Sequence, residues 1–177
     1  DVLYVLTPNH LHPEPAIAAL EADVHVLCEK PLADTLDEAA RMRAAAEASD
    51  AVAGCAFNYR FVPAIRSARN RIVAGDLGDI RQVRGEYLQD WLVDSDAPWS
   101  WRTDADRAGS GALGDLGTHT IDLARFLVGD RVGAVASVSG RLQTFVDERP
   151  VDSEGEAGTR PVTVDDAYAA HVEYESG

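Results

Sequence analysis

Hydrophobic positions in the first third of the chain come as short unbroken runs separated by polar turns and alanine-rich stretches. "DVLYVL", "VHVLC" and "AVAGCAF" are continuous apolar runs of strand length. Between the first two, "PEPAIAALEA" reads as a short helix with Pro13 in its first turn, where the missing N–H does no harm. Between the second and third, "DTLDEAARMRAAAEAS" sets Thr35 and Glu38 in T-x-x-E capping-box spacing and continues in strong helix formers. Strand, helix, strand, helix, strand, with strands apolar throughout, predicts a parallel sheet covered on both faces.

After about residue 60 the pattern changes. "VPAIRSARNRIVAGDLG" is an amphipathic helix closed by glycine, and "DIRQVRGEYLQDW" has the looser alternation of an antiparallel strand. "ALGDLGTHTIDLARFLVG" sets Leu116, Ile121, Leu123, Phe126 and Leu127 along one side of a helix stopped by Gly129. "VGAVASVSGRLQTFV" and "DAYAAHVEYES" are two further strands, joined over 147–161 by an acidic connection with Gly and Pro, which reads as flexible filler. This second part predicts an α+β domain on an open-faced, mostly antiparallel sheet. The chain starts without methionine on a buried-strand pattern and stops at "YESG", the first half of a hairpin. It therefore reads as a segment of a longer protein.

Composition narrows the function classes. With 177 residues and 46% hydrophobic content, the chain is large enough to bury a core. Thirty acidic against sixteen basic residues give a formal charge of -14, which argues against nucleic acid as a partner, because neutralising phosphates needs clustered cations. No apolar run reaches the roughly 18–20 residues of a membrane span and no leader pattern opens the chain, so no membrane partner is expected and the cytoplasm is the expected location. Cys28 and Cys55 lie in apolar runs and read as buried free thiols.

Lysine is the informative residue. Fifteen of the sixteen basic residues are arginine, and the single lysine, Lys30, sits in "CEKPLAD" at a strand end. A strand-end lysine is by default a solvated surface group, but ligands of open parallel sheets bind beyond the carboxyl ends of the strands, and an ammonium is a compact, titratable donor that guanidinium cannot replace. Glu29 is placed to hold it and Pro31 to shape the turn. In "GDLGTHTID", Asp115 and His119 are four apart, so a helix would set both on one face, as a carboxylate and an imidazole suited to proton transfer. Asp122 is placed either to orient that ring or merely to solvate the helix. Gly109, Gly111, Gly114 and Gly117 allow close backbone approach to a ligand. "TPNHLH" offers Thr7, Asn9, His10 and His12 at another strand end, either as helix caps or as ligand contacts, and "FNYRF" offers Asn58, Tyr59 and Arg60 at a third. Trp99, Trp101 and Arg102 either wall a polyhydroxylated ligand or cover a core.

"TPNHLH", "CEKPLADT", "FNYRF" and "GSGALGDLGTHTIDLARFLVG", in this order and spacing, resemble the Gfo/Idh/MocA family of oxidoreductases, and the resemblance extends over nearly the whole chain, including "TVDDAYAAHVEY". It implies that residues 1–60 are the C-terminal part of an NAD(P)-binding Rossmann domain, and that 61–177 are a substrate-binding and oligomerisation domain, incomplete at its end. Carried over by position, Lys30, Asp115 and His119 become catalytic, with His119 as acid/base. Thr7, Asn9, His12, Glu29, Lys30, Pro31, Asn58 and Arg60 become contacts of NAD or NADP, and Lys30, Tyr59, Trp101, Arg102, Asp115 and His119 contacts of the substrate. The implied substrate is a small sugar, cyclitol or related polyol, and the implied assembly a homodimer or homotetramer. The family's Gly-rich phosphate loop would lie upstream of Asp1, so this segment alone is expected to be inactive. Two rival readings follow from the same residues: a metal-dependent lyase or hydrolase built on His10, His12, Asp115 and His119, and a non-catalytic truncated homologue that only binds partners.

Overall fold

The structure, a computed structural model, describes residues 1–151 and 158–176. Strands β1 (Val2–Val5), β2 (His25–Cys28) and β3 (Ala53–Cys55) pair in parallel in that order, with Cys28 opposite Cys55. Helices α1 (Pro13–Glu21) and α2 (Leu36–Ala48) cross between them and lie together on one face. There Ala16, Leu20 and Met42 pack with Val5, Val26 and Cys28 into a buried core, each large apolar side chain contributing about 1.5–3 kcal/mol. The expected cover on both faces is found on one. Burial alternates along β1 and β2, leaving Val2, Tyr4 and Leu27 exposed on the other face among the described residues. An apolar run makes a strand fit for burial on both sides but does not supply the covering element.

The Thr35 side chain accepts the Glu38 N–H at 3.2 Å, as its spacing predicts, but the Glu38 carboxylate turns to Arg41, so half of the capping box forms. Beyond β3, residues Asn58–Phe61 coil into a 3₁₀ turn instead of ending the strand, and lead into α3 (Pro63–Ala74), which Gly75 closes at φ 84°. Residues 79–90 form no strand. Alternation decides which side chains share a face, but a strand also needs a partner backbone, and among the described residues none pairs with this stretch.

The Trp-rich segment contains a 3₁₀ turn, Trp101–Thr103, and the short helix α4 (Ala105–Ala108). The run read as one helix is two: a π-helical turn, Leu113–Gly117, followed by α5 (Thr118–Val132). Gly129 lies inside α5, which ends instead at Gly133 with φ 83°. Val128 and Val132 of α5 pack with Ile72 of α3, whereas Ile121 is exposed and the buried residues of the first turns are His119 and Asp122. Those polar residues take the inner face because Arg60 waits there for Asp122.

Strands β4 (Val135–Gln143) and β7 (Ala167–Tyr174) pair antiparallel. Between them, β5 (Glu148–Pro150) and β6 (Thr159–Pro161) form a hairpin, so the supposed filler of 147–161 has paired arms, while 152–157 lie outside the described residues. Among the described residues no helix is long and apolar enough to cross a membrane.

Candidate active site

At the end of β2 the Lys30–Pro31 bond is cis. The Glu29 carboxylate accepts the Lys30 main-chain N–H at 3.1 Å and so shapes the turn, leaving the ammonium to another partner. That partner lies 85 residues on. Lys30 Nζ donates to Asp115 Oδ1 at 2.7 Å and to the Asp115 carbonyl at 2.8 Å, with the lysine side chain only 15% exposed. Asp115 belongs to the π-helical turn, whose glycines pack closely: a Cβ on Gly114 would displace the Ser110 hydroxyl, and one on Gly117 would press on Leu113 and the Tyr168 ring at 3.0 Å.

Lys30 and Asp115 line a cavity of about 640 Å³ at the carboxyl ends of β1 and β2. Thr7, Asn9, Glu29, Pro31, Trp101 and Arg102, all singled out in the sequence, line the same cavity. The Arg102 guanidinium lies 4.5 Å above the Trp101 ring, a charge-on-aromatic wall suited to the polar rim and apolar face of a sugar ring. Trp99 is elsewhere, its indole N–H donating to the Pro161 carbonyl at 3.1 Å and its ring beneath Arg107 and Arg160. Gln89, Trp91, Ser110, Phe145, Asp165 and Asp166 complete the walls and were not singled out in the sequence. Gln89, Trp91 and Phe145 fall in stretches whose alternation reads as strand, and Ser110, Asp165 and Asp166 lie within quoted motifs, but no local signal turned any of them toward a cavity.

His119 is 9% exposed and sits among aromatic rings: Tyr59 at 4.7 Å, Tyr87 at 6.0 Å and Phe57 at 6.2 Å between centroids. With Tyr59 it lines a second space, about 470 Å³, and not the cavity of Lys30 and Asp115; the four-residue spacing expected to set Asp115 and His119 on one face does not do so, because Asp115 lies in the π-helical turn and His119 in the α-helix after it. Its Nδ1 is buried without a hydrogen-bond partner. Burial, and then the positive charge of Lys30, hold its pKa below the ordinary imidazole value, against the opposing pull of Asp115, Asp122 and Glu29. The ring is therefore neutral near pH 7 and able to accept a proton. Tyr59 and Tyr87 join hydroxyls at 2.7 Å beside it.

Other expected contacts have structural partners. Asp122 grips Arg60 Nε at 2.8 Å and its terminal nitrogen as well, so Asp122 orients the arginine and not the imidazole. Arg60 also lies over Phe57 and Phe126, which leaves its charge committed within the protein. Asn58 is exposed in the 3₁₀ turn and lines neither space. His12 is 0% exposed, with Nε2 2.7 Å from the Thr7 carbonyl and Nδ1 3.1 Å from the Pro31 carbonyl, so it ties the two strand-end loops together and presents no face to a ligand. Asn9 donates to the Ala108 carbonyl at 2.9 Å, and His10 Nδ1 lies 3.0 Å from the Arg107 carbonyl, which braces the first loop against α4. His10, His12, Asp115 and His119 thus do not converge, and among the described residues no group of three acidic, His or Cys side chains could hold a metal ion. Burial pushes the thiols of Cys28 and Cys55 up to about 12 and about 11, which keeps both protonated; Cys28 is a buried core thiol as expected, whereas Cys55 is only half-buried.

Comparison with known proteins gives the same frame. Residues 1–57 match the model of the GFO/IDH/MocA oxidoreductase family, NAD-binding Rossmann fold, and residues 65–177 match the GFO/IDH/MocA C-terminal domain. The chain is 44% identical to levoglucosan dehydrogenase of Pseudarthrobacter phenanthrenivorans, over 99% of this chain and 47% of that protein. A solved structure of levoglucosan dehydrogenase in complex with NADH and L-sorbose superposes with a TM-score of 0.93 at 46% identity, over 99% of this chain and 46% of that one. An inositol dehydrogenase homologue from Azotobacter vinelandii, complexed with NADH and myo-inositol, superposes with a TM-score of 0.81 at 32% identity, over 99% of this chain and 42% of that one. The chain spans about half the length of the curated relatives it matches. Matched along both domains by family models and over almost its full length by these relatives, the chain belongs to the Gfo/Idh/MocA family of oxidoreductases.

Proposed function

We propose that this chain is part of an NAD(P)-dependent dehydrogenase that oxidises a secondary hydroxyl of a sugar, cyclitol or related polyol. The observation that carries the reading is the Lys30–Asp115 pair, closed at 2.7 Å between the two domains at the wall of one cavity. The nicotinamide fits the same place, because Thr7, Glu29 and Pro31 line that cavity beyond the carboxyl ends of a parallel sheet. When bound there, it supplies the acceptor for the hydride of the substrate carbon.

The chain's own residues do the rest. Lys30 turns its ammonium from Asp115 toward the substrate oxygen as negative charge develops there, which is worth more in a partly dry site than in water. Asp115 grips a neighbouring hydroxyl, and Trp101 with Arg102 packs against the sugar ring. His119, whose ring is neutral, is the residue we assign to take the hydroxyl proton, although it lines the second space and not the cavity of Lys30 and Asp115. Support for this last role is electrostatic: the Lys30 and Asp115 charges both act on the imidazole. We also assign the protein to the cytoplasm, and to a homodimer or homotetramer, the assembly supported by the exposed Val138 and Leu142 on β4.

The test is nicotinamide reduction by the complete protein with a panel of unphosphorylated polyols and each cofactor, with mass by light scattering on the same preparation. Lys30→Ala and His119→Ala are each expected to lower turnover by roughly a hundredfold or more while leaving circular dichroism unchanged. Near wild-type rates in both variants overturn the assignment.

A further inference from the structure

Asp165, in the turn before β7, is 7% exposed and has three ties to one short segment. Its carboxylate oxygens accept the N–H of Gly111 at 2.9 Å and of Leu113 at 2.7 Å, and its carbonyl accepts the N–H of Ala112 at 2.9 Å. These three consecutive amides open the π-helical turn, where N–H groups have no partner within the helix and must find one outside it. The approach leaves no room for a side chain on Gly111, whose Cβ would overlap the Asp165 carbonyl oxygen. Gly111 in turn accepts the Asp115 N–H at 2.9 Å.

We propose that Asp165 is a positioning residue: by stitching residues 111–113 to the β7 turn, it fixes Asp115 and, through Asp115, the resting place of the Lys30 ammonium. Lys30 reads both a side-chain and a main-chain oxygen of Asp115, so a shift of the turn's backbone moves the ammonium even if the carboxylate keeps its rotamer. The effect is local, because α5 is anchored separately through Ile72, Val128 and Val132 and through the Arg60–Asp122 pair. The inference rests on the reading of Lys30 and Asp115 as the pair that meets the substrate.

Asp165→Asn keeps the shape but exchanges one acceptor oxygen for an NH₂ group facing a main-chain N–H. In the complete protein we expect amide hydrogen exchange over residues 111–115 to quicken by roughly tenfold or more with 118–132 unchanged. Turnover should fall by roughly tenfold to a hundredfold while the NADH dissociation constant stays within about twofold. In an Asp115→Asn background the same change should cost little further turnover, since the residue it acts through is already disabled. Equal losses in both backgrounds, or unchanged exchange over 111–115, would overturn the proposal. Should Asp165→Asn not fold, Asp165→Ser, which keeps a hydroxyl acceptor, is measured in its place with the same expectations. If the wild type oxidises no polyol with either cofactor, the dehydrogenase reading fails, and the exchange measurement still decides the stitch.

Discussion

A lone lysine among fifteen arginines meets a side-chain and a main-chain oxygen of the same aspartate with one compact ammonium, a rotatable and titratable charge that the rigid guanidinium fork does not reproduce. Its charge also sets the imidazole. Lys30 disfavours the protonated form of His119, so removing the charge raises the pKa; Lys30→Met should move the His119 titration, followed by NMR of the ring proton, toward higher pH. In the wild type that titration should fall below about pH 6.5. An unshifted titration in Lys30→Met would show that the two groups do not sense each other. At this scale the sequence was most informative about residue type, since scarcity marked Lys30 and spacing marked Asp115 and His119. It was least informative about partners: Asp122 and Arg60 neutralise one another, and His12 spends both nitrogens on main-chain carbonyls.

Among the elements, α5 departs most from its pattern. The apolar spacing that includes Ile121 assumes an unbroken 3.6-residue period from residue 112, and the π-helical turn breaks that period just before the helix starts. Glycines at 111, 114 and 117 are held by close contacts, whereas Gly129 has nothing within 4 Å of where a Cβ would stand and does not lie at positive φ. Gly129→Ala should therefore stabilise the protein by about 0.5–1 kcal/mol, read from chemical denaturation of the complete protein. A loss of stability would mean that this position meets a neighbour the described residues do not contain.

For the whole molecule, the cavity walls are held by polar groups that reach across long sequence separations. Arg149 is 0% exposed; it donates to the carbonyls of Leu92 and Asp94 at 2.8 Å each and lies 3.9 Å from Asp166, whose carboxylate accepts the N–H groups of Phe145 and Val146. Arg149→Met should strand those carbonyls and the Asp166 charge, costing on the order of 3 kcal/mol and lowering Tm by several degrees in a thermal melt. An unchanged Tm would show that water replaces the guanidinium at no cost.

Local signals were enough for the parallel strand–helix order and the Thr35 cap, and they singled out Lys30 by its scarcity, because hydrophobic period, capping chemistry and composition are properties read along the chain. Whether a strand finds a partner, which helix face turns inward, and which side chains share a cavity depend on groups tens of residues apart. Only the tertiary structure decided those: the unpaired stretch of 79–90, the polar inner face of α5, and the meeting of Lys30 with Asp115 across 85 residues.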